Sequence, residues 1–253
     1  MLCSMDESRR IALNLEAVHA RIAAAARRAG RSAEAITVVA VSKTHPPSLI
    51  AAALAAGQQH FGENRVQEAE QKIEALIDKR QDLRWHLIGH LQRNKVRRAA
   101  QLFDTIHSID SLRLAQALDR VLGEAAVDGL RLPVLLQVNV SGEESKYGFA
   151  LPGGLANHQA LPAFLAEVEQ IVSLQHVRVE GLMTIAPFVD DAAIIRDAFR
   201  SLRLLRDELA RRFPGDWHHL SMGMSGDFEL AIEEGATIVR IGTAIFGERT
   251  PGA

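Results

Sequence analysis

The chain has 253 residues, 47% hydrophobic and 24% charged, with 29 basic and 31 acidic side chains and a formal charge of −2. That length fits one or two ordinary domains or a single α/β barrel, and the charge balance gives no general attraction for nucleic acid or an anionic membrane. One cysteine, Cys3, excludes an intramolecular disulfide or a zinc site of several thiolates, and no apolar run approaches the length of a membrane span.

Asp6 to Ala29 reads as a helix. Ile11, Leu15, Val18, Ile22 and Ala25 or Ala26 recur at helical spacing, and Gly30 follows Arg27 and Arg28 as a C-cap. Its acidic opening is unlike a basic–apolar leader, so a cytoplasmic protein is expected. Ile36 to Val41 is short, β-branched and apolar, the pattern of a strand buried on both faces. It stops at Ser42-Lys43-Thr44, and Pro46-Pro47 opens a helix. Further strands are predicted at His60-Phe61, Trp85 to Ile88, Thr105 to His107, Pro133 to Val140, Val177 to Met183, His218 to Leu220 and Thr237 to Ile241. The helices between them run Val66 to Ile77, Asn94 to Ala100, Ser111 to Glu124, about Gly154 to Val172, Ile194 to Arg212 and Asp227 to Glu233, with a last one opening at Thr243. One long loop is expected, from Ser141 to about Gly154.

Eight strands, each followed by a helical segment, predict an α/β fold: a closed parallel (β/α)8 TIM barrel with an extra N-terminal helix. An open doubly wound sheet is the competitor, but no Gly-x-Gly-x-x-Gly follows the first strand. No linker rich in Pro, Gly or Ser interrupts the rhythm. Residues 1–253 are therefore expected to form one domain, with its helix over about 6–29 and its barrel over about 36–247.

Barrel sites lie at the C-terminal ends of the strands. The residues predicted there are Lys43, Asn64, His86, His90, Ser108, Asn139, Met183, Thr184, Ser221, Arg240, Gly242 and Thr243. Side chains alternate along a strand, so Lys43 shares a face with Thr37, Val39 and Val41, and Arg240 with Ile238 and Gly242. If Val39 and Ile238 fill the interior, Lys43 and Arg240 point into the mouth. Lost hydration and a neighbouring cation there favour a neutral, nucleophilic amine suited to condensation with an aldehyde; the alternative is a lysine that snorkels to solvent. The hydroxyls of Ser221 and Thr243, with the N–H groups of Gly242 and Thr243, can cradle a phosphate dianion; the alternative is ordinary turn chemistry. An amine facing such a cradle suits an aldehyde that carries a phosphate, of which pyridoxal 5'-phosphate is the obvious example.

Several runs, in this order and spacing, resemble the pyridoxal phosphate homeostasis protein family. They are Ala40-Val41-Ser42-Lys43-Thr44, Phe61-Gly62-Glu63-Asn64-Arg65-Val66-Gln67-Glu68, and Trp85-His86-Leu87-Ile88-Gly89-His90-Leu91-Gln92-Arg93-Asn94-Lys95. Gly181-Leu182-Met183-Thr184-Ile185-Ala186-Pro187, Leu220-Ser221-Met222-Gly223-Met224-Ser225 and Val239-Arg240-Ile241-Gly242-Thr243-Ala244-Ile245-Phe246-Gly247 complete the set. The resemblance implies a single-domain barrel like the N-terminal domain of alanine racemase. It implies binding of pyridoxal phosphate and a part in vitamin B6 and amino-acid homeostasis, without an established turnover. By resemblance, Lys43 carries the cofactor as an internal aldimine and Arg240 faces the pyridine nitrogen. Ser221, Gly242 and Thr243 hold the phosphate, and Asn64 lies near the ring. Lys146, in the loop after strand five, is a candidate secondary aldehyde site.

A non-catalytic carrier is the expected class, and no catalytic residue is assigned. A fixed cation at the ring nitrogen disfavours its protonation and weakens the electron sink. Racemisation needs two opposed bases, and the racemase relatives draw the second, a tyrosine, from another domain and subunit. This chain is expected to lack that domain, and its one tyrosine, Tyr147, falls in the strand-five loop. The alternatives are a slow amino-acid racemase, a Schiff-base aldolase, and a sensor that passes its cofactor to pyridoxal-phosphate-dependent apo-enzymes. A monomer is expected. The cluster Arg93, Lys95, Arg97 and Arg98 reads as a solvated helix face. His86 and His90 straddle a strand end, so no metal site is assigned. Met222 and Met224 are expected to pack on core or cofactor.

Overall fold

The computed structural model describes residues 5–125 and 131–248, and Cys3 lies outside them. Eight parallel strands form a closed ring: β1 Thr37–Val41, β2 His60–Glu63, β3 Arg84–Leu87, β4 Thr105–Ile109, β5 Leu132–Asn139, β6 Val177–Met183, β7 His219–Ser221 and β8 Ile238–Ile241. Each pairs with its neighbour in sequence, and β8 returns to β1 in the register Thr37 to Ile238 and Val39 to Arg240. Helices follow the strands as α2 Pro47–Ala55, α3 Val66–Ala75, α4 Val96–Leu102, α5 Leu112–Glu124, α6 Leu161–Val172, α7 Ala192–Arg212, α8 Phe228–Glu233 and α9 Thr243–Phe246. This is the (β/α)8 barrel that the alternation predicted. Among the described residues, no helix is long and apolar enough to cross a membrane.

The additional helix, α1 Met5–Arg28, buries the predicted stripe of Ile11, Leu15, Val18, Ile22, Ala25 and Ala26. It flanks the barrel, packing on α2, α8 and α9. Polar contacts fix its register: Asn14 donates to the Ile245 carbonyl (2.8 Å), and Arg21 and Arg28 pair with Glu229 and Glu233. Several element ends fall one or two residues from the prediction, and the loop after β5 departs furthest. After β5 the helix starts at Leu161, with Pro162 in its first turn, because residues 154–156 form only a 3-10 turn entered through left-handed Gly153. Within the same loop, Phe149–Ala150 adds a short parallel pairing to β5. Strand β7 runs one residue later than predicted, leaving His218 exposed.

Alternation along the strands divides the apolar residues into two cores. Outward-facing Phe61, Trp85, Ile106, Leu220 and Val239 join the helices in one continuous layer. Inward-facing Val39, Leu135, Met183 and Ile238 form a separate cluster inside the ring, with Ile185 against it. Val39 and Ile238 do fill the interior, as the parity argument requires. The remainder of that interior is polar. His60, His86, His107, Ser221 and Arg240 meet there in one hydrogen-bonded chain.

Strand β6 meets β7 at Gly181, in register with His219. Its φ is 152°, and a Cβ there would lie 1.9 Å from the His219 carbonyl oxygen. Gly181→Ala is therefore expected to cost about 3 kcal/mol or more, through backbone strain and the forced parting of two strands. Urea denaturation measures it; a loss under about 0.5 kcal/mol would mean that the ring relaxes freely there.

Candidate functional site

The turn that carries Lys43 is held from both sides. Ser42 is fully buried; its hydroxyl donates to Glu63 Oε1 (2.7 Å) and its carbonyl accepts from Lys72 Nζ (2.7 Å). Lys72 also pairs with Glu63 and Glu68, each at 2.7 Å. The Glu68 carboxylate in turn accepts the Thr44 N–H. Thr44 has a φ of 68°, left-handed for a β-branched residue and held there against its preference. Lys43 is thus the middle residue of a turn whose two flanks are fastened to one buried ion cluster. Burial raises the pKa of Glu63, opposed by Lys72 and Ser42. Burial also pushes Glu68 upward, but hydrogen bonds from Lys72 and the Thr44 N–H outweigh it and hold the carboxyl below its ordinary value.

Arg240 rises from β8 with 4% of its surface exposed. Nη1 donates to Ser221 Oγ (2.7 Å) and Nη2 to the Thr184 carbonyl (2.8 Å). Burial lowers its pKa to about 10, opposed by Asp227, so it stays charged at neutral pH. Asp227 forms no ion pair with it among the described residues; its carboxylate accepts the Met224 N–H (2.5 Å).

Lys43 and Arg240 come together at the barrel mouth, where both line two adjoining cavities along with Val41 and Met224. One cavity, about 390 Å³, continues to Ser225, Gly226, Gly242 and Thr243 and is rimmed by Phe188. The other, about 290 Å³, reaches Asn64, Ile88, Gln137, Lys146, Tyr147 and Ile185. A larger basin of about 580 Å³ adjoins the second, sharing Asn64, Gly89, His90 and Tyr147 and adding Arg65 and Lys95. Tyr147 stacks on His90 with ring centroids 3.9 Å apart, forming a wall of both.

Of the predicted site residues, Lys43, Asn64, Arg240, Gly242 and Thr243 line this cup. Ser221 does not. It is fully buried, and its hydroxyl is engaged by Arg240 and His107. Ser225, four residues later on the same loop, takes the cavity position expected of Ser221. Met183 belongs to the interior cluster. Lys146 does reach the cup, with its ammonium bound to Glu143 and to the Ala186 carbonyl (2.8 Å). Met222 is buried in the outer core, while Met224 lines the cup. In the basic cluster, Arg97 and Arg98 pair with Glu124 and Glu70 on flanking helices. His90, predicted at a strand end, also lines the cup; sequence reasoning missed Ser225, the stacking of Tyr147 on His90, and the acids behind Lys43. Glu63 and Glu68 stand in the run around Asn64, where Glu68 and Lys72 have the spacing of a helical ion pair.

Removing Lys72 leaves Glu63 buried without its cation. Lys72→Met is expected to cost about 3–5 kcal/mol, and pairing it with Glu63→Gln should recover part of that loss. Urea midpoints of the two single variants and the double measure the coupling; strictly additive losses would mean that the cluster does not act as a unit. A second expectation concerns acid. Burial lowers the pKa of His86 from 6.5 to about 3 and of His107 well below 6.5. Unfolded histidines take protons near pH 6.5 while these two stay neutral, so the unfolded chain binds more protons as pH falls. Stability is therefore complete above about pH 6.5 and declines below it, by up to about 1.4 kcal/mol per pH unit for each ring. Glu63, with its raised pKa, opposes this with a single proton. A urea midpoint unchanged between about pH 7.5 and 5.5 would mean that the rings are not held neutral.

Residues 13–250 match the family model described as alanine racemase, N-terminal domain. The chain is 46% identical over 235 residues to the pyridoxal phosphate homeostasis protein of Aquifex aeolicus strain VF5, covering 93% of this chain and 96% of that relative. It is 44% identical over 240 residues to the protein of the same name from Escherichia coli strain K12, covering 94% and 97%. The structure of PipY from Synechococcus elongatus PCC7942 with PLP bound matches with a TM-score of 0.78 at 41% identity, over 94% of this chain and 100% of that one.

Proposed function

The chain belongs to the pyridoxal phosphate homeostasis protein family, within the alanine racemase N-terminal domain barrels, and on that footing we propose that it holds pyridoxal 5'-phosphate in the cup between Lys43 and the Gly242-Thr243 segment. The observation that carries this reading is the pair of cations, Lys43 and Arg240, shared by two cavities of complementary chemistry. The donor set fits the group. Ser225, Gly226, Gly242 and Thr243 supply hydroxyls and backbone N–H groups for a phosphate dianion. Val41, Ile88, Ile185 and Met224 supply apolar walls for a planar ring, with Asn64 beside them.

When bound, pyridoxal phosphate supplies an electrophilic aldehyde and an electron-withdrawing ring. Lys43 Nζ, at the junction of the two cavities, is the amine that would hold the aldehyde. Arg240 would hold a positive charge toward the ring nitrogen and disfavour its protonation. That weakens carbanion stabilisation, which supports a carrier over a catalyst. The finer reading is a single barrel domain, monomeric and cytoplasmic, that keeps the cofactor reversibly for pyridoxal-phosphate-dependent apo-enzymes. Tyr147 lines the same cavity as Lys43, and on that observation a slow amino-acid racemase is the second reading.

The loaded protein is expected to be yellow, and borohydride to bleach it while fixing the cofactor to the peptide that contains Lys43. Lys43→Ala should abolish the colour and the label with the fold intact by circular dichroism. Label on another peptide, that of Lys146 included, would overturn the assignment of the amine. Rapid conversion of an amino acid to its enantiomer, lost in Lys43→Ala and in Tyr147→Phe, would favour the second reading.

A further inference from the structure

We infer that His60, His86, His107 and Ser221 form a hydrogen-bond relay of one polarity that positions Arg240, making His107 and Ser221 positioning residues for the cofactor's ring nitrogen although neither lines the cup. The inference rests on the reading that the ring of pyridoxal phosphate lies against Arg240. The relay crosses the interior of the barrel. His60 Nδ1 meets His86 Nε2 at 2.9 Å, His86 Nδ1 meets His107 Nε2 at 2.9 Å, and His107 Nδ1 meets Ser221 Oγ at 2.9 Å. Arg240 Nη1 closes the chain on Ser221 Oγ at 2.7 Å. The five residues come from β2, β3, β4, β7 and β8.

The polarity follows from donor counting. A guanidinium only donates, so Ser221 Oγ accepts from Arg240. The Ser221 hydroxyl proton then needs an acceptor, and His107 Nδ1 is in place for it. That puts the proton of His107 on Nε2, from which it donates to His86 Nδ1. His86 in the same way donates from Nε2 to His60 Nδ1. In the opposite polarity Ser221 Oγ accepts twice, and its own proton is left without an acceptor at a fully buried position, a cost of about 1–3 kcal/mol. Burial keeps His86 and His107 neutral, so neither ring adds charge next to the guanidinium at neutral pH.

Its chemical consequence lies at Arg240. Both of its bonds inside the barrel go to neutral acceptors, Ser221 Oγ and the Thr184 carbonyl. A carboxylate in the place of Ser221 would orient the guanidinium equally well but would offset its charge. The relay orients it without offsetting it, and the field at the ring nitrogen stays positive.

Two measurements test this. In the apo-protein, long-range 15N–1H NMR of the histidine rings should place the proton on Nε2 of His60, His86 and His107; an Nδ1 proton on His107 would overturn the relay, whatever binds in the cup. In the protein loaded with ring-15N pyridoxal phosphate, Ser221→Ala and His107→Leu should move the ring-nitrogen shift toward its protonated value and weaken cofactor binding about tenfold, the equivalent of one lost hydrogen bond to a charged group. Ser221→Thr keeps the hydroxyl and should restore both readouts. Leu135→Ala, which opens the apolar side of the same interior, should lower Tm without moving the nitrogen shift. Variants that lose Tm while the shift and affinity stay at wild-type values would reduce the relay to a packing role and overturn the inference. Failure of the wild-type protein to take up the cofactor would instead overturn the proposed function, leaving the tautomer measurement to decide the relay.

Discussion

The cup depends on one ammonium group. Lys72 has three donor protons and three acceptors at 2.7 Å: the Ser42 carbonyl, Glu63 and Glu68. These acceptors belong to the turn after β1, to the end of β2 and to the first turns of α3, so one buried cation locks together three segments around Lys43. A buried ion cluster of this kind adds little net stability, because desolvation offsets most of the attraction. Its contribution is geometric. With Ser42 and Thr44 both fastened, Thr44 keeps a left-handed backbone that a β-branched residue disfavours, and Lys43 is directed to the mouth by rigid structure.

The two cations of the cup are supported in opposite ways. Behind Lys43 stand two carboxylates, Glu63 and Glu68, which share the one charge of Lys72. Beneath Arg240 stand only neutral acceptors, and Asp227 is committed to the Met224 N–H. Arg240 brings a positive charge to both cavities, and the adjoining basin adds Arg65 and Lys95, for which no acid provides an ion pair among the described residues. Such a concave positive surface concentrates anions and raises their rate of encounter. An anionic group is favoured on approach as well as when seated.

The alternation of strands and helices was legible because its signals are local: β-branched runs, the Pro46-Pro47 entry to α2, and the helical stripe of α1. The face of Arg240 was equally legible, since parity on a strand has a period of two; Lys43 lies in the turn beyond β1, where the ion cluster and not parity directs it. Depth was not. Ser221 and Arg240 both face inward, but how far each lies from the mouth depends on the stagger of strands around the ring, which no single strand reveals. Ser221 therefore falls below the cup and Ser225 takes its place. The histidines were opaque for a related reason. His107 and Ser221 are 114 residues apart and meet only across the closed barrel, so their spacing in sequence carries no trace of the contact. Glu68 and Lys72 have a spacing that normally marks a solvated pair on a helix surface. Only the neighbouring strand, with Glu63 on it, converts that pair into a buried cluster.

A barrel interior is ordinarily filled by layers of branched apolar side chains, and Val39, Leu135, Met183 and Ile238 do this on one side. The polar side must be explained by what it supports. A guanidinium taken out of water carries a desolvation cost of several kcal/mol unless opposite charge answers it, and here Asp227 opposes the effect of burial only in part, with no ion pair to Arg240 among the described residues. The cost is reduced where Arg240 borders the open cup, and it is relieved further when a dianionic ligand seats beside it. Folding and ligand binding are coupled as for any ligand of the folded state alone, by RT ln(1 + [L]/Kd) for free ligand L, and the charge of Arg240 enters through Kd. For a protein whose proposed task is to hold pyridoxal phosphate, occupancy and stability then rise together with the free cofactor. An acid bonded to Arg240 would have made the empty barrel easier to fold and, by weakening anion binding, would have made that gain smaller.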